Sequence, residues 1–359
     1  MSEVVKAVVL CAGEGTRLRP LTFSKPKHLL PVAGRPLLGH VLAALADAGL
    51  REVALVVGHR PEAVQRYVGD GGQWGIQATY VTQEKPLGLG DAIMRAREFV
   101  GKDRFVVYLG DNLLENGITE FVDEFRGGDM QAALLLKEVA DPRTLGVAVL
   151  DDQQRVLRLV EKPADPPSNL AILGVYAFDP IIFDAIDSIE PSARGELELT
   201  DAIQYLVEHG SAVSARVIEG FWEDAGEPLA LLRANRRYLD LCVGQIQGSL
   251  SADCQVEGQV VVGKGTRITG CRLIGPVLIG RNCVIERSVI GPYVSLGDGS
   301  EITDSRIEDS LIQDNCRISR LPAGLESSVL GENVQVVGGE PVNCPLRMIL
   351  GDMAQIRMF

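Results

Sequence analysis

The spacing of apolar positions changes character twice along this 359-residue chain. In the first stretch, short runs rich in β-branched residues alternate with segments of helical period. Val4–Leu10, Glu52–Val57, Ala78–Thr82 and Phe105–Leu109 predict strands, and Leu37–Ala48, Pro61–Val68 and Asp91–Val100 predict helices, the first closed by Gly49. Such alternation implies a wound α/β sheet whose sites lie at the carboxyl ends of its strands. From Gln131 the helices thin out. Gln131–Val139, Gly146–Leu150, Val156–Val160 and Ala171–Phe178 read as strands in quick succession, so the sheet becomes mixed. Helical patterns return at Leu199–Glu208 and Glu227–Leu241, the second closing this part of the chain.

Beyond residue 248 the apolar period shortens to five or six. It runs from Val262 through Ile268, Ile274, Ile279, Ile285 and Ile290 to Leu296, Ile302, Ile307, Ile312 and Ile318, with glycine directly after the apolar position at Gly263, Gly275, Gly280, Gly291 and Gly297. A near-hexad of this kind predicts three short strands per coil of a parallel β-helix, each coil stacking on the last. The expected division is 1–241 for the α/β part, 248–340 for the β-helix and 341–359 for a tail.

Composition narrows the function. Lys and Arg number 35 against 48 Asp and Glu, a net charge of −13, which disfavours a general binder of nucleic acid or anionic membrane. A local basic pocket for a small phosphorylated substrate remains compatible with it. The seven cysteines include no CxxC pair, so neither a zinc ribbon nor a thioredoxin-type site is indicated. The opening run is broken by Glu3 and Lys6, and the most apolar long window, Leu29–Ala46, contains Arg35, His40 and two prolines. Neither a secretory signal nor a membrane span is expected, and a cytoplasmic location is the default.

The first strand runs into Cys11-Ala12-Gly13-Glu14-Gly15-Thr16-Arg17-Leu18-Arg19-Pro20. Glycines at a strand exit let backbone amides turn inward around an anion. The loop is no P-loop, which needs Gly-Lys followed by Ser or Thr, and Leu18 replaces the third glycine of a dinucleotide fingerprint. From Gly15 through Ala46 there is no Asp or Glu, yet Arg17, Arg19, Lys25, Lys27 and Arg35 occur. The cluster reads either as a solvated basic face or as a cradle for a triphosphate, with Lys25-Pro26-Lys27 on a stiffened loop.

Leu10-x-x-Gly13-x-Gly15-Thr16-Arg17-Leu18-x-Pro20 followed by Lys25-Pro26-Lys27-x-x-x-Pro31-Val32 resembles the opening signature of sugar-1-phosphate nucleotidylyltransferases. Further marks follow in the family's order: Gln83-x-x-Pro86-Leu87-Gly88, Leu109-Gly110-Asp111, Val160-Glu161-Lys162-Pro163, Gly195-Glu196-Leu197-Glu198-Leu199-Thr200-Asp201 and Trp222-x-Asp224-x-Gly226. Within the family the pattern is most similar to the glucose-1-phosphate thymidylyltransferases of the long form, and Leu350-Gly351-Asp352 fits that form as well. The resemblance implies a Rossmann-like mixed-sheet nucleotidylyltransferase domain followed by a left-handed parallel β-helix. It also implies transfer of dTMP from dTTP to glucose 1-phosphate with Mg²⁺. A UTP-using uridylyltransferase is the alternative, and a non-catalytic regulator that binds nucleotide sugars a further one.

The roles it implies fall into four groups. Arg17, Lys27 and Lys162 would be the catalytic cations. Leu10, Ala12, Gly13, Gly15 and Thr16 would hold the nucleotide, with Gln83 and Gly88 at the base. Gly146, Glu161, Lys162, Gly174 and Glu196 would hold the sugar phosphate, and Asp111 and Asp224 the metal. Such a reaction needs no His or Ser nucleophile, because the attacking phosphate is already anionic; charge neutralisation and in-line positioning suffice. Hexapeptide β-helices also occur in acyltransferases that use a histidine on the helix, but the last histidine here is His209, before the repeats. A scaffold or homo-oligomer role for the repeats is the better expectation.

Overall fold

The computed structural model describes residues 5–58, 60–339 and 344–358; Val4 and the expected boundary at 340/341 lie outside the described residues. The chain divides into two compact units. One holds the chain up to Glu14 together with Leu38–Asp224, the other Gly15–Leu37 together with the chain from Ala225 onward.

In chain order the strands up to residue 224 are β1 (Val5–Cys11), β2 (Pro31–Val32), β3 (Arg35–Pro36), β4 (Glu52–Val57), β5 (Gln77–Thr82), β6 (Arg104–Leu109), β7 (Asn112–Leu114), β8 (Ala132–Glu138), β9 (Gly146–Leu150), β10 (Val156–Glu161), β11 (Leu170–Phe178), β12 (Val213–Val217) and β13 (Trp222–Asp224). The helices are α1 (Leu37–Asp47), α2 (Pro61–Val68), α3 (Leu89–Arg95), α4 (Arg97–Val100), α5 (Thr119–Gly127), α6 (Ile181–Asp187), α7 (Leu199–Glu208) and α8 (Pro228–Asp240).

The first unit is a nine-stranded mixed sheet covered on both faces. β1 lies between β4 and β6, parallel to both, and its near-continuous apolar run suits a strand buried on two sides. Val8 and Leu10 join the core under α3, α6 and α7, while Ala7, Val9 and Cys11 point to the core under α1, α2 and α5. β11 is the hub of the mixed half. Along one edge it pairs with β8, around a register shift between Ile172 and Tyr176. Along the other it takes β6 through Val175–Phe178 and β9 through Ala171. The sheet therefore forks at Gly174. The expected helix Asp91–Val100 is two helices, α3 and α4, separated at Ala96.

The second unit carries the left-handed parallel β-helix. Successive coils pair in parallel register about one turn of 17 residues apart, as in Cys283 N–H to Thr266 Oγ1. That length makes one of the three sides a residue shorter than the other two, which accounts for the mixture of fives and sixes. Val262, Ile279, Leu296, Ile312 and Leu330 stack in one inward column, and Ile268, Ile285, Ile302, Ile318 and Val336 in another. On the third side the inward residue of one coil is Leu273, not the expected Ile274, which is only partly buried. Ile349–Leu350 and Gln355–Arg357 add further rungs to the same sheets. Among the described residues no helix is long and apolar enough to cross a membrane.

Candidate active site

The chain builds β4 and β5 outward from one side of β1 and then returns to lay β6 on the other, so a crevice opens at the carboxyl ends of β1 and β6, the usual ligand position in a wound sheet. Leu10 is the penultimate residue of β1 there, and its carbonyl accepts the Gly110 N–H at 3.0 Å. That bond locks the strand exit leading to Ala12 and Gly13 onto the Leu109-Gly110-Asp111 turn. Asp111 is buried. β7 starts at the next residue and pairs antiparallel with β13, placing Asn112 opposite Asp224. Trp222 Nε1–H donates to Asn112 Oδ1 at 2.8 Å and holds the ladder. Two carboxylates far apart in sequence are thus brought to neighbouring positions. Such a donor set fits a hard divalent ion that takes few protein ligands and fills its shell with substrate oxygens and water. Among the described residues no group of three or more His, Cys, Asp or Glu is arranged to hold a metal ion.

Of the sugar-phosphate candidates, Gly146, Glu161 and Lys162 meet on the β9–β10 hairpin, Glu196 approaches them through Arg194, and Gly174 lies elsewhere. Gly146 pairs with Glu161 across the hairpin, and Glu161 Oε2 accepts the Thr200 hydroxyl at 2.7 Å. A Cβ on Gly146 would lie 2.9 Å from Ile172 Cδ1 and 3.2 Å from both Glu161 Oε2 and Thr200 Oγ1. Lys162 follows with a left-handed backbone, φ +43°, its Nζ 3.4 Å from Glu161 Oε1. Arg194 lies among three acids: 2.7 Å from Glu198 Oε1, 3.4 Å from Glu161 Oε1 and 3.6 Å from Glu196 Oε2. Glu161, Lys162, Arg194, Glu198 and Asp201 also line a cleft of about 860 Å³ between β10 and α7. Burial there, with the Glu198 and Glu161 charges added, raises the Asp201 carboxyl above its ordinary range. Gly174, at the fork, has φ +72°, and a Cβ there would meet Leu109 Cδ1 at 2.7 Å and Asn112 Cγ at 3.3 Å.

Gln83 is buried just past β5. Its Nε2 donates to Asp91 Oδ2 at 2.8 Å and to the Gly88 carbonyl at 3.2 Å. Both partners can only accept, so both amide hydrogens are committed, and the group left to offer a ligand is the Oε1 acceptor. Asp91 is itself held by Arg95, Nη2 to Oδ1 at 2.6 Å. Gly88 (φ +99°) presses on the next motif: a Cβ would stand 2.7 Å from the Leu197 carbonyl and 3.0 Å from Glu196 Cβ. Leu197 N–H to Leu87 O and Gly90 N–H to Leu197 O fasten the two loops, joining the base and sugar candidates.

The remaining signature residues belong to the second unit. Gly15, φ +66°, precedes the 3₁₀ turn Thr16–Leu18, which carries Thr16 and Arg17. Its carbonyl accepts the Thr22 hydroxyl at 2.8 Å, and a Cβ on it would touch Lys27 Cβ at 3.0 Å. Lys27 opens the segment's third 3₁₀ turn, Lys27–Leu29, after Leu21–Phe23. Lys25, grouped with the phosphate cradle in the sequence reading, instead bonds Gln313 Oε1 at 2.7 Å and pairs with Glu332.

Residues 6–240 match the model of the nucleotidyl transferase family. The chain belongs to this family. It is 44% identical over 355 residues to a Streptomyces antibioticus protein named glucose-1-phosphate thymidylyltransferase, and 39% identical over 354 residues to one of the same name from Streptomyces griseus, each alignment covering 99% of both chains. A Bacillus anthracis chain solved in complex with a sucrose, and provisionally named as a thymidylyltransferase, superposes with a TM-score of 0.62 at 35% identity, covering 67% of this chain and 98% of that one. The protein is a nucleotidyltransferase, and the chemistry of its family calls for a divalent metal. The structure adds Asp91, Asn112, Arg194 and Thr200, none singled out in the sequence for a role. Arg194 had one usable signal, a lone cation two residues before Glu196 and four before Glu198.

Proposed function

We propose that this transferase joins dTTP and glucose 1-phosphate to give dTDP-glucose and pyrophosphate, with Mg²⁺. A phosphate oxygen of glucose 1-phosphate attacks the α-phosphorus; the new P–O bond forms as the bond to the β-phosphate bridge breaks, and pyrophosphate leaves. The observation that carries the reading is end-to-end likeness to two thymidylyltransferases. The orientation of Gln83 supports it, because an outward acceptor oxygen complements the N3–H of thymine and opposes the bare N3 of cytosine.

On this reading Leu10, Ala12, Gly13, Gly15 and Thr16 wrap the nucleotide, and Arg17 and Lys27 neutralise the departing pyrophosphate. Lys162, with Arg194 nearby, fixes the sugar phosphate in line. Glu161 and Glu196 accept sugar hydroxyls, Thr200 keeps the Glu161 carboxylate oriented, and Gly146 and Gly174 let the ring approach the backbone. Asp111 and Asp224 would hold Mg²⁺, which when bound supplies charge neutralisation at the reacting phosphates. Uracil shares the N3–H, and its missing methyl is worth only about 1–3 kcal/mol, so UTP, which differs otherwise only by its 2′-hydroxyl, is the competing substrate. Pyrophosphate release over a grid of nucleoside triphosphates and sugar 1-phosphates tests the assignment. A maximum at dTTP with glucose 1-phosphate is expected; a maximum at UTP moves the base, and silence everywhere refutes the reading.

A further inference from the structure

The basic signature segment Gly15–Leu37 and the β-helix fall in one compact unit, and their contacts follow the coils in order. Near the segment's end, a Cβ on Gly34 would lie 3.1 Å from Leu278. Ala33 N–H donates to Asn235 Oδ1 at 2.9 Å, and the same oxygen accepts the Ser295 hydroxyl at 2.7 Å. Further along, Lys25 Nζ reaches Gln313, Glu332 and, at 3.5 Å, Asp352. Ser24 Oγ donates to Asp352 Oδ2 at 2.5 Å. Finally Gly351 backs onto Pro20, where a Cβ would meet the Pro20 carbonyl at 2.9 Å. The strands 277–279, 294–296, 310–312, 329–330 and 349–350 are consecutive rungs of one sheet. At roughly 4.8 Å per rung, the segment is pinned over about 19 Å of stacked coils.

Lys25 is the one charged anchor in this series. Its side chain is largely buried, 12% exposed, at a corner with surplus negative charge. Burial, with the Asp298 and Glu332 charges adding to it, raises the Asp314 carboxyl above its usual range, while the Asp298 backbone N–H and Lys25 oppose that rise. An ammonium placed there is held by several acceptors. Pro26, with φ −59°, connects it to the turn that begins at Lys27. Fixing Lys25 therefore fixes where the Lys27 side chain starts.

We infer that Lys25 is a positioning residue, and that the corner formed by Gln313, Glu332 and Asp352 is a clamp that sets the signature segment for the triphosphate. The last coils of the β-helix thereby become part of the nucleotide-handling apparatus. The inference rests on the nucleotidyl-transfer reading for Arg17 and Lys27, and extends it to residues with no direct role in the chemistry.

Three changes to the full-length protein test it: Lys25→Met, the pair Glu332→Gln with Asp352→Asn, and all three together. Misplacement of a reacting group is expected to lower kcat/KM for dTTP about ten- to a hundred-fold in each, while KM for glucose 1-phosphate stays within about two-fold. The combined variant is no worse than either parent, because all remove the same contact, and Lys25→Arg restores most of the loss. Amide exchange over residues 16–30 is faster in every clamp variant. Loss in Lys25→Met with none in the acid pair would make Lys25 a direct phosphate ligand and overturn the inference; so would unchanged exchange. If the unaltered protein turns over no triphosphate, the nucleotidyl-transfer reading fails, while exchange still decides whether the clamp holds the segment.

Discussion

Asp91→Asn tests how the base is read. The native carboxylate has two acceptor oxygens, one taken by Gln83 Nε2 at 2.8 Å and the other by Arg95 Nη2 at 2.6 Å. An amide in its place keeps one oxygen, which the fixed donors of Arg95 retain, and aims an NH₂ group at Gln83. Two NH₂ groups cannot bond, so the Gln83 amide is driven to turn over, giving up its bond to the Gly88 carbonyl, and to present its own NH₂ outward. The group offered to the base changes from acceptor to donor. A mismatched buried polar pair costs about 1–3 kcal/mol, so the preference for a base with N–H at that edge over one with a bare ring nitrogen should fall by about that much, roughly 5- to 150-fold. Measuring kcat/KM for dTTP and dCTP in both proteins reads this directly. A dTTP:dCTP ratio unchanged within about three-fold, or an equal loss on both, would refute the reasoning and leave Asp91 as a brace for α3.

Two further perturbations probe the sugar side. Gly146→Ala places a methyl 3.2 Å from Glu161 Oε2 and Thr200 Oγ1. It should raise KM for glucose 1-phosphate about ten-fold while leaving that for dTTP within two-fold, the mirror of the Lys25 result. Asp201→Asn should stabilise the protein at neutral pH, as read by Tm. The folded-state pKa of Asp201 is raised by burial and then by Glu198 and Glu161, so ionisation costs stability as pH rises through it. The gain from the amide is therefore fully present above that raised value and vanishes below the ordinary 3.8; a gain that grows in acid would contradict the assignment.

Much of this architecture is legible in periodicity. Pro61–Val68, Gly146–Leu150 and Leu199–Glu208 form with the bounds their apolar spacing implies, the two helices because each buries one face on a single core. The exchange of Ile274 for Leu273 shows the limit: where a side of the coil is short, two adjacent apolar residues compete for the interior, and only stacking on the next rung decides. β7 and β13 are three residues each, too short to carry a period, yet they set Asp224 opposite Asn112, the residue after Asp111. Charge is less legible still. Lys25 and Lys27 are two residues apart in one basic motif, and the partners of Lys25 lie on coils some 300 residues downstream. The commitment of Gln83 likewise depends on Asp91, which in sequence is merely an acid in the first turn of a helix.

The most direct test of the account is stoichiometric. Purified protein is given dTTP, glucose 1-phosphate and Mg²⁺, and pyrophosphate and sugar nucleotide are both quantified, with Asp111→Asn alongside. The account predicts one pyrophosphate per dTDP-glucose, no release without the sugar phosphate, and a loss in Asp111→Asn of about a hundred-fold or more, as expected when transition-state charge is left unneutralised. Release without sugar phosphate, or full activity in Asp111→Asn, would contradict it.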